Sequence, residues 1–174
     1  MQPILLNPCT PMKVILLGNS GAGKTTLAKR LTAHHPAALL SLDAVAFDGT
    51  AQRRPLEASL EDVQGFVSSH PSWIIEGCYA DLIGPILPLC EELIFLNPGV
   101  ETCLAHCRAR PWEPEKFSSR QQQDAHLHNL LEWVRSYPHR TDAYGYAQHR
   151  QLFDSFPGPK RELTHIEKET PARL

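Results

Sequence analysis

The tightest constraint on this chain is the junction at residues 13–26, where the apolar run "KVILL" passes without a spacer into "GNSGAGKTT". An uninterrupted apolar run suits a strand covered on both faces, and a glycine-rich turn leading into an amphipathic stretch suits a tight passage from strand to helix. Three more runs share this character, "AALLSLD" (37–43), "WIIEG" (73–77) and "ELIFLN" (92–97), and "RELTHI" (161–166) is a less regular fifth. Helical spacing fills the intervals. Thr25 to His34 follows the glycine turn; Leu56, Leu60, Val63 and Val67 share a face that Pro55 would open at its first position. Leu127, Leu130, Leu131 and Val134 repeat the spacing within 119–137, and 144–153 suits one short helix more. Strands alternating with helices predict a layered α/β domain.

The 174 residues are enough for one domain with a real core. The domain is expected to begin at Met12, with residues 1–11 as a peripheral extension. A net charge of −2 argues against long nucleic acid as partner and favours a small molecule. The five irregularly spaced cysteines suit reduced thiols. With neither a signal peptide nor a membrane-length apolar run, a cytoplasmic protein is the expectation.

The turn itself matches G-x-x-x-x-G-K-[ST] through Gly18, Gly23, Lys24 and Thr25. Gly18, Gly21 and Gly23 would let successive backbone N–H groups point at phosphate oxygens, and Asn19, Ser20, Ala22 and Thr26 complete the cradle. A helix opening near Lys24 would add its positive end. The Lys24 ammonium suits the outer phosphates of a nucleotide, and the Thr25 hydroxyl suits a Mg²⁺ ion. A nucleoside triphosphate is the implied guest.

On these residues the chain resembles the small P-loop kinases of the adenylate kinase and shikimate kinase group, over Met12 to about residue 166. The resemblance implies a three-layer P-loop NTPase fold with a five-stranded parallel sheet in the order 2-3-1-4-5. It also implies a substrate-binding region, here 43–72, an arginine-bearing lid, here 108–120, and ATP with Mg²⁺ as cofactors. Asp43, at the end of the second apolar run, would orient or deprotonate the acceptor hydroxyl and lie near the Mg²⁺; a helix cap is its competing role. Asp48 is a second candidate, and "DAVAFD" departs from the closely spaced aspartates of shikimate kinases. Glu76 and Gly77, at the end of "WIIEG", resemble an acid-glycine turn that meets substrate or a metal-bound water.

Arg53 and Arg54 stand where the resembling kinases clamp an anionic substrate. Arg108 and Arg110 open the proline-broken lid "RARPWEPEKFSSR", where either would meet charge on the transferred group. Trp112 either covers a ligand or packs. Cys103, His106 and Cys107 could suggest a metal site, but Cys103, Leu104 and Cys107 form one apolar stripe with Val100 and read as core rather than as ligands, and His126 and His128 turn to different helical faces.

The expected function is an ATP-dependent kinase transferring the γ-phosphoryl group to a hydroxyl or phosphate of a small metabolite or nucleotide. The alternative is a nucleotide-dependent switch or ATP-binding module without an acceptor; a GTPase lacks its guanine-reading motif at "FLNPGVE". A third reading is a kinase-like toxin or repair enzyme acting on a nucleotide-sugar or a nucleic-acid end.

Overall fold

The computed structural model describes residues 11–49, 52–114 and 117–165; apart from Pro11, the expected N-terminal extension lies outside the described residues. Five strands, β1 (Lys13–Gly18), β2 (Ala38–Ser41), β3 (Trp73–Gly77), β4 (Glu92–Leu96) and β5 (Lys160–Leu163), form one sheet in the order β2-β3-β1-β4-β5. Every pairing is parallel. The fold is therefore α/β with an all-parallel sheet, and the central strand β1 is also the strand that feeds the glycine turn.

Alternate residues of the central strands supply two cores. Ile15, Leu17, Ile75, Leu93 and Phe95 face helices α2 (Asp43–Ala46), α3 (Leu56–Ser69), α4 (Ala80–Ile83) and α7 (Tyr146–Ser155). Val14, Leu16, Ile74, Ile94 and Leu96 face α1 (Lys24–His34), α5 (Val100–Arg108) and α6 (Arg120–Ser136). Burial on both sides explains why these strands read as continuous apolar runs instead of alternating. Cys103, Leu104 and Cys107 are buried in the second core, the packing role their spacing predicts.

Several boundaries differ from expectation for identifiable reasons. β2 stops at Ser41 because Leu42 turns into helical conformation and buries completely beneath the end of β3. A Cβ on Gly77 would stand 2.8 Å from the Leu42 Cβ, so the bare glycine is what admits Leu42 there. Asp43 consequently opens a one-turn helix instead of ending a strand. Pro55 caps α3 from outside rather than occupying its first position, and Leu56 stays 41% exposed. The buried seam of α3 runs through Ser59, whose Oγ donates to the Val45 carbonyl (2.9 Å), and Val63. The fifth strand lies at 160–163, ahead of the expected 161–166, whose last residue falls outside the described residues. Residues 80–89, helix α4 and a 3₁₀ segment (Gly84–Leu89), had no counterpart in the pattern because their apolar side chains are broken by prolines. Among the described residues, no helix is long and apolar enough to cross a membrane.

Candidate functional site

The glycine turn is built from its own backbone. Ala22 N–H donates to the Asn19 carbonyl (3.2 Å), and the Asn19 side chain ties the turn outward, accepting from Ser20 N–H (2.8 Å) and donating to the Val134 carbonyl of α6 (3.2 Å). Gly21 and Gly23 have φ of 78° and 95°, left-handed values that favour glycine. A Cβ on Gly21 would also meet the Cys103 carbonyl at 2.4 Å and the Cys107 sulfur at 2.8 Å, so the turn lies directly on α5. Gly23 is the N-cap of α1 and supplies no side-chain cap. The first N–H groups of that helix are therefore open to an external anion.

Lys24 is only 8% exposed. Its Nζ donates to the carbonyls of Gly18 (3.1 Å) and Asn19 (2.9 Å), which leaves one of three N–H donors. Among the described residues no carboxylate forms an ion pair with it. Thr25, next along, turns its hydroxyl toward β3 and donates to Glu76 Oε1 (3.1 Å). Glu76 is itself 5% exposed, a carboxylate that lies at the strand end beside the turn.

The acidic side of the site has a positioning device absent from any motif. Asp43 Oδ1 accepts a hydrogen bond from the Tyr79 hydroxyl at 2.5 Å, fixing the carboxylate and leaving Oδ2 for the cleft. Burial, helped by the neighbouring Asp43 carboxylate, pushes the Tyr79 phenol up, so it remains a donor across ordinary pH. The Arg53 guanidinium lies 4.9 Å from the centre of the Tyr79 ring, and the Tyr144 ring meets Tyr79 edge-on at 5.4 Å.

A cleft of about 830 Å³ opens between the glycine turn, the ends of β2 and β3, and the end of α5. Ser20, Gly21, Gly23, Lys24, Thr25, Thr26, Asp43, Glu76, Gly77 and Arg110 all line it, so the sequence-expected residues of four separate segments meet. Gly18, Asn19 and Ala22 are buried in the floor of the turn and do not line the cleft. Of the two arginines of the expected lid, Arg108, the last residue of α5, is exposed and also outside the cleft, and Arg110, beyond the helix end, lines it.

Arg53 and Arg54, the expected anion clamp, lie outside the cleft lining and have partners of their own. Arg53 pairs with Asp81 at 2.9 Å, bonds the Tyr144 hydroxyl and stacks between the two tyrosines. Arg54 pairs with Asp62 at 2.6 Å and donates to the Val45 carbonyl (3.0 Å). Both guanidiniums have partners that brace the connection between β2 and α3, and neither lines the cleft. Asp48, the second acidic candidate, is likewise outside it.

A histidine outside the expected nucleotide and substrate residues also enters. His106 of α5 lines the cleft, and its Nδ1 donates to the Gly21 carbonyl (2.8 Å), coupling the turn to the helix that leads into the lid. The lid segment is tied down at Gln123, whose Nε2 donates to the Pro111 carbonyl (2.9 Å) and whose Oε1 accepts from Glu113 N–H (2.9 Å). Trp112 beside them is half-buried. Residues 115 and 116 of the expected lid lie outside the described residues.

Below the cleft, the buried His149 of α7 bridges two segments: Nε2 donates to the Cys78 carbonyl (2.9 Å) and Nδ1 accepts from the Tyr137 hydroxyl (2.8 Å). Burial lowers this imidazole to about 4, so it stands neutral and holds the turn after Gly77 in place. Burial also pushes Cys78 and Cys103 up to about 11, which keeps the thiols nearest the site protonated and unreactive.

No family model and no curated protein matches the sequence.

Proposed function

We propose that the chain is a P-loop nucleotide-binding protein, and within that class an ATP-dependent kinase for a small hydroxyl-bearing acceptor. The observation that carries this reading is Lys24, an ammonium 8% exposed, bonded to carbonyls alone, at the mouth of a cleft rimmed by uncapped helix N–H groups. A buried cation without a counter-charge is costly. An anion seated on the turn removes that cost, and a polyphosphate fits both the turn and the volume of the cleft.

The oxygen donors beside the turn suit Mg²⁺. Thr25 and Glu76 already share a hydrogen bond, and hard oxygen ligands are what this ion takes, usually with retained waters. When bound, Mg·ATP supplies the transferable phosphoryl group and the ion's charge. The chain's own residues then divide the work. Lys24 and the turn N–H groups bind phosphate oxygens. Asp43, held by Tyr79, presents Oδ2 to an acceptor hydroxyl and accepts its proton as the oxygen bonds to the γ-phosphorus and the bond to the departing ADP oxygen breaks. Arg110, from the lid side, meets negative charge on the transferred group. Most of the rate would come from positioning and fixed charge.

The test is transfer of labelled phosphate from γ-labelled ATP to a pool of sugars, nucleosides, nucleotides and hydroxy acids, beside the Lys24→Ala variant. The kinase reading predicts one labelled acceptor class that disappears in the variant. Lys24-dependent ATP binding with no labelled acceptor would favour a nucleotide-dependent regulator instead.

A further inference from the structure

The cleft is electrically divided, and the division bears on what the second substrate is. Its cationic side chains, Lys24 and Arg30 of α1 and Arg110 after α5, lie on the side of the glycine turn and the segment after α5, where they outnumber the one carboxylate, Glu113. The wall made by the ends of β2 and β3, which meets the turn at the Thr25–Glu76 hydrogen bond, contributes Ser41, Asp43, Ala44, Glu76, Gly77 and Cys78. Among the described residues that wall is charged only by carboxylates.

Two guanidiniums that could have reversed this, Arg53 and Arg54, are engaged outside the cleft lining. Arg53 holds Asp81 and lies between two tyrosine rings; Arg54 holds Asp62 and a backbone carbonyl. Releasing Arg53 to meet a ligand would leave the partly buried Asp81 unpaired and uncover the Tyr79 ring that positions Asp43. A phosphate or carboxylate on the acceptor would thus approach Asp43 and Glu76 without a cation to receive it, and like charges at close range repel. Even with Glu76 given over to a metal, Asp43 remains.

Resting on the kinase reading above, we infer that the acceptor is a hydroxyl compound bearing no phosphate or carboxylate, and that an amine close to its reacting hydroxyl strengthens binding. The cationic half of the cleft is matched to the polyphosphate, and the acidic half to an uncharged or ammonium-bearing polyol. The reaction balances as an ordinary phosphoryl transfer: acceptor hydroxyl and ATP give a phosphate monoester, ADP and one proton.

The experiment uses the full-length ¹⁵N-labelled chain with Mg²⁺ and a non-hydrolysable ATP analogue. Shifts at the Gly23 and Lys24 amides first report nucleotide binding; their absence would sink the kinase reading itself. On the nucleotide complex, two probes are then titrated separately, the amine-bearing polyol tris(hydroxymethyl)aminomethane and inorganic phosphate, while the Asp43 and Gly77 amides are followed. The inference predicts saturable shifts with the amine, weakened about fivefold by Asp43→Asn and unchanged by Arg54→Ala, and no saturable shift with phosphate. Phosphate binding as tight as the amine or tighter overturns it. So does the absence of any shift from either probe, since the wall would then receive neither class.

Discussion

The two sides of the cleft are made in different ways. The turn side is a contiguous stretch, Gly18 to Thr26, whose backbone is shaped by its own glycines and its seat on α5. The carboxylate side is assembled: Asp43 comes from α2, its anchor Tyr79 from beyond β3, the brace Arg53 from ahead of α3, and Tyr144 from ahead of α7. The lesson is that binding a common group needs a local device, while placing a single carboxylate here recruits four distant segments. The turn should therefore fail all at once when one residue is lost, and the acceptor wall should fail in graded steps.

The largest effect belongs to the turn. Lys24→Ala should lower phosphoryl transfer by about 10²-fold or more, the scale expected when a fixed group facing transition-state charge is removed; steady-state kinetics would show it, and a near-normal rate would erase the contrast. On the other side, Tyr79→Phe removes a bond to a carboxylate, a change of about 1.5–3 kcal/mol. It should reduce kcat roughly tenfold or more with the KM for ATP unchanged; a rise in the ATP KM alone would show that the two sides are not separate.

The sheet end beneath both is sharpened by pH. His149 titrates near 4 when folded against an ordinary 6.5, because burial opposes its charge. Between those values the unfolded chain binds a proton that the folded chain refuses, so stability is full above 6.5 and declines as pH falls toward 4. Its contribution to the loss should be roughly 2 kcal/mol between pH 7 and 5, measured by denaturant titration, and His149→Asn should flatten the slope over that interval. Gly77→Ala should cost about 1–3 kcal/mol by forcing Leu42 out of its place, visible as a lowered Tm. The smallest effect is expected of Arg53→Ala, about 1 kcal/mol of stability with the acceptor KM nearly unchanged. A large rise in that KM would restore Arg53 as a substrate clamp.

The same contrast explains what the sequence made legible. The central strands and the turn were readable because their signals are local: β1 and β3 coincide with their apolar runs, and the G-x-x-x-x-G-K-T spacing marks a strand-to-helix passage. The position of Asp43 was readable, but its setting in a one-turn helix was not, because that depends on Leu42 filling the space that Gly77, distant in the chain, leaves open. Nothing in local spacing distinguishes an arginine that clamps a ligand from one that holds Asp81, so the role of Arg53 required the tertiary partners. His106 was hidden similarly: it flanks the buried Cys103 and Cys107 stripe, and only the packing of α5 on the turn brings its ring to the Gly21 carbonyl.

The most direct test of the central claim is calorimetric titration of Mg·ATP into the wild-type chain and into Lys24→Ala. The account predicts binding to the wild type that weakens by about 10²-fold, or roughly 2.7 kcal/mol, in the variant. No binding to the wild type, or equal binding to both, would contradict the reading of the buried Lys24 ammonium as the seat of a polyphosphate.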